Sequence, residues 1–221
     1  MITLVVEAST YAGSTALLND GHVLGERSVA MRGREREALM PAVAELLAET
    51  SMSAAQLERI VCGAGPGSFT SLRIAGGIAK GLALATGAAL VPVSSLALLV
   101  GSRPVLVPGR YLAASDALRG EHYVALFIVS EGGELEAHGD TGRLPSGVVA
   151  QEADRLGATL VAVGDPASAG GVPHARAAAR LTKLIEATPP ADLAAWEPAY
   201  GRLAEAQVKW EAAHGRPLAE A

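Results

Sequence analysis

Over its first thirty positions the chain sets short apolar stretches against polar breaks. Thr3–Ala8, Ser14–Leu18 and Val23–Val29 read as three strands. Asn19-Asp20-Gly21 joins the last two, and Asp-Gly is a strong hairpin signal. The period then lengthens. Across 34–49, Leu39, Val43, Leu46 and Leu47 share one helical face. Pro41 falls inside that pattern and either kinks the helix or marks its true start. Ser53 to Gln56 spells a capping box for a short helical turn. Arg59–Cys62 reads as a buried strand, 71–86 as a helix, Ala89–Val93 as a strand and Ser95–Gly101 as a short apolar helix. The predicted order is β-β-β-α-β-α-β-α.

A stretch rich in Pro and Gly, Ser102–Arg110, reads as a link. Beyond it the patterning starts over. Strands are predicted at Tyr111–Ser115, His122–Ser130 and Glu134–His138, with turns at Asp116–Glu121 and Glu131-Gly-Gly. A helix over Ser146–Leu156, a strand over Thr159–Gly164 and a helix over Ala175–Ala187 follow. The β-β-β-α-β-α order thus occurs twice. The expected class is α/β, with mixed sheets flanked by helices in two domains, 1–101 and a smaller 102–221. Leu203–His214 is a candidate amphipathic helix; Val208 and Trp210 would pack it on its own domain or on another surface.

Between the fourth strand and the second helix lie Gly63, Gly65 and Gly67, with Pro66 stiffening the turn. Ser68 and Thr70 are both suited to cap the helix. That helix is made of small residues: Ala75, Gly76, Gly77, Ala79, Gly81, Ala83 and Ala85. Each interior glycine costs about 1 kcal/mol against alanine, so some element must pack very close. A buried helix under its own sheet and a face for a partner's helix both meet that need. Arg73 lies in the first turn, where the helix dipole disfavours a cation, so a carboxylate or anion partner is expected. The spacing fits neither a P-loop nor the dinucleotide fingerprint, and Ser68 is not in a nucleophile elbow.

At 221 residues, half of them hydrophobic and 19% charged, the chain has the make-up of a globular protein. Its net charge of −5 opposes direct nucleic-acid binding, which needs a basic face. Cys62 has no second cysteine to pair with and reads as a small core residue. No uncharged apolar run is long enough to span a bilayer, and Glu7 interrupts the first apolar run, so no signal peptide is expected and the cytoplasm is the expected compartment. No two of the five histidines stand at helical metal-pair spacing. No catalytic residue and no metal ligand is therefore expected. Glu7 and Asp116 end the first strand of each half. They read either as exposed turn residues or as carboxylates able to hold magnesium between two lobes.

The run GAGPGSFTSLRIAGGIAKGLA at 63–83 closely resembles the signature of the TsaB (YeaZ) family, with Ser71 where glycine is usual. Asp116-Ala-Leu-Arg-Gly-Glu-His-Tyr123 and Trp196-Glu-Pro-Ala-Tyr-Gly-Arg202 resemble two further family motifs, the first with Leu118 and His122 out of pattern. The resemblance implies two RNase-H-like domains of the actin-like ATPase superfamily. It implies a scaffold that binds TsaD, and with it TsaE, while TsaD transfers threonylcarbamoyl to N6 of adenosine 37 in tRNA. The contact with tRNA would be indirect, and ATP and magnesium would sit on the partner proteins. The expected partner-binding residues are Leu39, Val43, Leu72, Arg73, Ala75, Gly76, Gly77, Lys80 and Gly81. Candidate anion or nucleotide residues are Glu7, Gly65, Gly67, Ser68, Thr70 and Asp116; Glu7 stands where the superfamily usually has Asp. Arg34–Glu37 carries no histidine where many relatives keep one, so no metal is expected there. The alternatives are a small-molecule kinase or ATPase of the same superfamily, and a homodimer through the same helices when TsaD is absent.

Overall fold

In a computed structural model, residues 1–31, 37–164, 171–201 and 213–214 are described. The helix expected at 203–214 lies almost wholly outside them. Three antiparallel strands open the chain: β1 (Ile2–Glu7), β2 (Ala12–Asn19) and β3 (His22–Ala30). Helix α1 (Leu39–Glu49) leads to β4 (Arg59–Gly63), and α2 (Phe69–Thr86) crosses to β5 (Ala89–Val93). The first sheet has the order β3-β2-β1-β4-β5, with β4 parallel to both β1 and β5. Parallel neighbours need a crossover, and α2 supplies the one between β4 and β5.

Helix α3 (Ser95–Gly101) ends the first half. The second half repeats the design with β6 (Gly109–Asp116), β7 (Glu121–Val129), β8 (Leu135–Pro145), α4 (Val149–Arg155) and β9 (Ala158–Ala162). Its sheet runs β8-β7-β6-β9, one strand shorter than the first. A 3-10 turn at Ala175–Arg180 and α5 (Thr182–Ala187) follow. Among the described residues no helix is long and apolar enough to cross a membrane.

Side-chain alternation splits β1 between two cores. Leu4 and Val6 face α1 and α2, meeting Leu39, Val43, Leu46, Ala75, Ala79 and Ala83. Val5 faces the other way, into a core that takes in α3, the 175–180 turn, α5 and the second sheet's Tyr111, Ala113 and Phe127. A smaller core seats Val149 and Ala153 of α4 on Leu112 and Ala114. Residues from both halves therefore share one apolar layer between the sheets.

Several elements differ in extent from the sequence expectation. Helix α1 starts at Leu39, so Pro41 sits in the first turn, where its missing N–H has no intrahelical partner to lose. The Glu37 carboxylate accepts from the Leu39 and Met40 amides and caps that turn. The capping box at Ser53 is formed, with Gln56 Oε1 accepting from the Ser53 amide at 2.9 Å. Strand β8 runs seven residues past His138, through positions that are mostly exposed and so carry no apolar alternation. The helix expected over 175–187 is broken at Leu181 (φ −110°, ψ 21°) into a 3-10 turn and α5.

Candidate functional site

The glycine hinge is built around a carboxyl group. Glu7, at the end of β1, is fully buried. Its Oε1 accepts from the Ser9 amide at 2.5 Å, and its Oε2 accepts from the Ser95 hydroxyl at 2.8 Å. Ser95 Oγ in turn accepts from the Gly65 amide at 3.1 Å. Burial pushes the Glu7 carboxyl above its usual range, against the opposing pull of the Ser9 and Ser95 hydrogen bonds. The neighbouring Cys62 thiol is pushed up too, by burial first and by Glu7 second, which marks it as an inert core residue.

Each hinge glycine makes room for a specific neighbour. A Cβ on Gly63 would collide with Glu7 Oε2, and one on Gly67 would collide with the Ser9 carbonyl oxygen. Gly65 has φ +91°, and a Cβ there would lie 2.5 Å from the Ala199 carbonyl oxygen. The hinge amides are engaged within the chain: Ala64 donates to Val93 at 2.7 Å and Ser68 to Ser9 at 2.7 Å. Ser68 is the N-cap of α2, yet its hydroxyl accepts from Ser71 Oγ at 3.1 Å instead of capping the backbone. Thr70 lies in the first turn of α2, exposed.

Of the six candidate anion residues, then, the structure spends Glu7, Gly65 and Gly67 on internal packing. The reading of Glu7 as an exposed turn residue is corrected by its burial. Asp116 lies on the surface, where its carboxylate accepts from the Leu118 amide at 2.7 Å and shapes the β6–β7 turn. A cleft of about 520 Å³ does open between the lobes, lined by Gly65, Pro66, Ser94, Tyr123, Arg143 and Ala199 among others. Arg143 there faces Glu121 at 3.7 Å. Among the described residues no group of three or more His, Cys, Asp or Glu is placed to hold a metal ion.

The chain's own residues 191–201 form a strap across this region. The strap is tied by Ala191 N to Leu90 O at 2.8 Å and by Ala199 N to Ala64 O at 2.7 Å. Pro198 and Trp196 lie over Gly76, within 3.1 and 3.7 Å of where its Cβ would be. Tyr200 meets Phe69 with ring centroids 4.5 Å apart, and Lys80 Nζ lies 5.9 Å from the Trp196 ring. The sequence pattern gives no sign of the roles of Ser9 and Ser95 or of the strap's hold on α2. The strap has no periodicity to betray it; the cluster of aromatics and Pro at 196–200, within the Trp196–Arg202 motif, is its signal.

Helix α2 therefore has two characters. Leu72, Ala75, Gly76 and Ala79 are buried in the chain's own core, as are Leu39 and Val43 of α1. These residues give no surface to a partner, because the first sheet and the strap already occupy them. On the opposite side Arg73, Gly77, Gly81 and Leu84 are exposed, and among the described residues nothing stands within 4 Å of a Cβ built on Gly77 or Gly81. Leu84 is 72% exposed. Arg73 has found a ring instead of the expected carboxylate: its guanidinium lies 5.4 Å from the Phe69 centroid.

Known proteins resemble this chain in sequence and in fold. A family model described as TsaD, tRNA N6-adenosine threonylcarbamoyltransferase, matches residues 31–156. The tRNA threonylcarbamoyladenosine biosynthesis protein TsaB of Escherichia coli is 33% identical over 74% of this chain and 71% of its own length. The Haemophilus influenzae protein of the same name is 33% identical over 57% of this chain and 53% of its own. A solved structure from Pseudomonas aeruginosa, an uncharacterized protein with similarity to peptidase YEAZ, superposes with a TM-score of 0.73 at 27% identity, covering 91% of this chain and 99% of that one. The strand orders and the two mixed sheets define an α/β protein of two RNase-H-like units, the actin-like ATPase plan. Within that class, the chain belongs to the TsaB (YeaZ) family.

Proposed function

We propose that this chain is a non-catalytic subunit in the formation of tRNA threonylcarbamoyladenosine. It docks on TsaD through the bare side of α2, and with TsaD engages TsaE. The bare stripe of Gly77 and Gly81, on a helix whose other side is packed, carries this reading. Two unopposed glycines cost about 2 kcal/mol of helix propensity, and among the described residues nothing occupies the space they leave. A partner helix laid there approaches closer than the usual 8–10 Å between axes. Arg73, exposed and unopposed by a carboxylate among the described residues, offers a partner a cation at one end of the stripe.

The negative charge of the chain fits an indirect relation to tRNA, with the basic contacts supplied by TsaD. Compartment follows substrate, so the cytoplasm is its place of action. The kinase alternative would need a solvent-reachable carboxylate at the end of β1, and Glu7 is buried there under Ser9 and Ser95. A homodimer would use the same stripe and compete with TsaD for it.

The test is co-purification with TsaD from the same organism. Gly77→Leu and Gly81→Leu should each lower retention at least tenfold while thermal unfolding of the isolated chain stays cooperative. Retention equal to wild type for both variants would remove the docking model. ATP turnover by the isolated chain, lost on Glu7→Ala, would point to the kinase instead.

A further inference from the structure

We propose that His174 is a proton-sensitive latch holding the 174–187 segment to the edge of the first sheet. The ring is clamped from two sides. Its Nδ1 accepts from the Arg176 amide at 3.2 Å, capping the 3-10 turn that begins at Ala175. Its Nε2 lies 3.0 Å from Ser28 Oγ on β3. A nitrogen that accepts carries no proton, so the hydrogen belongs to Nε2, which donates to Ser28. Only the neutral Nε2–H imidazole makes both contacts.

The segment behind this ring links parts of the chain distant in sequence. The His174 amide donates to Ser102 Oγ at 3.0 Å, and the Ala175 amide to Ser14 Oγ at 2.9 Å. Ala175, Ala177, Ala178, Leu181 and Ile185 enter the apolar layer that both sheets share. Adding a proton to Nδ1 turns an acceptor into a donor facing the Arg176 N–H. The cap is lost and two donors oppose each other.

The charged groups facing the ring are Glu26 on β3 and Arg176 on the turn itself, which pair with each other at 3.3 Å. Glu26 favours protonation and Arg176 disfavours it. Partial burial is the largest influence, and the net effect holds the imidazole below its ordinary value. A His whose folded pKa is depressed contributes stability that is complete above its unfolded pKa of about 6.5 and is lost as pH falls below it toward the folded value. Mild acid should therefore loosen this segment before the fold as a whole gives way.

Long-range 1H–15N NMR on the wild-type chain reads the tautomer and titration of His174 directly. The expected result is an Nε2–H ring titrating below about 6.5. Amide exchange at Arg176, corrected for intrinsic rate, should quicken about fivefold between pH 7.5 and pH 5, the scale of a lost N-cap. His174→Asn keeps a side-chain acceptor for that amide but does not titrate, so its exchange ratio should stay near one. An Nδ1–H tautomer, a titration at or above about 6.5, or the same acid loosening in His174→Asn would each overturn the latch. The NMR titration needs no variant, so it decides for or against the latch even where His174→Asn does not fold.

Discussion

At the scale of single residues, Glu7 decides what the hinge can do. A carboxyl group taken wholly out of water stays ionised only beside a cation or several donors. Burial outweighs the hydrogen bonds that Glu7 receives from Ser9 and Ser95, and its pKa is raised. For a carboxyl whose folded pKa lies above the unfolded one, stability is fullest below the unfolded value. It declines as pH rises from there toward the folded value, because only the unfolded chain ionises. Glu7→Gln removes that drain. Measured by urea titration, the stability of the variant relative to wild type should climb with pH above about 4.5, at up to about 1.4 kcal/mol per pH unit. A pH-independent difference would mean that Glu7 is ionised in the folded chain. The sequence shows an acidic residue at a strand end but not its burial. That burial depends on Gly63 and Ser95, far away along the chain and close only in the fold.

At the scale of elements, α2 carries glycines with opposite meanings. Among the described residues nothing lies against Gly77 or Gly81, so Gly77→Ala and Gly81→Ala should each stabilise the isolated chain by about 1 kcal/mol through helix propensity alone. If α2 docks on TsaD as proposed, the same changes should weaken its capture, since a methyl group would push the partner helix away. Gly67→Ala should do the reverse, destabilising the chain by more than about 2 kcal/mol, because its Cβ meets the Ser9 backbone. Thermal unfolding of the three variants separates the two kinds of glycine. The small-residue helix is plain in the sequence. Its bare flank is not, since Gly76 and Gly77 look alike until Pro198 is seen lying on one of them. For the same reason Leu39 and Val43, apolar and correctly placed on one helical face, belong to the core and not to the proposed docking face.

At the scale of the molecule, strand patterning and the repeated β-β-β-α-β-α order are legible because each sheet is built from local hairpins and alternating faces. How the halves join is not. The layer between the sheets draws Val5, Ala16, Leu18 and Val61 from the first half and Tyr111, Phe127, Ala177, Leu181 and Ile185 from the second. Patterning reports that a residue is apolar and on which face it lies, not which distant element covers it. A shared core of this kind makes the chain division at residue 101 a boundary of sequence more than of stability. A fragment of residues 1–101 would leave Leu96, Leu98, Leu99 and Val100 of α3, together with one whole face of β1 and β4, exposed to water. At about 25 cal/mol for each Å² of apolar surface, that face outweighs the few kcal/mol of net stability a domain of this size retains. The fragment should therefore bind a hydrophobic dye and melt without a cooperative transition, whereas the whole chain should unfold in one. A sigmoidal urea curve for the fragment, with a slope fitting about one hundred residues, would show the first sheet to be self-sufficient. It would then leave the 174–187 segment as an accessory cover on a finished core.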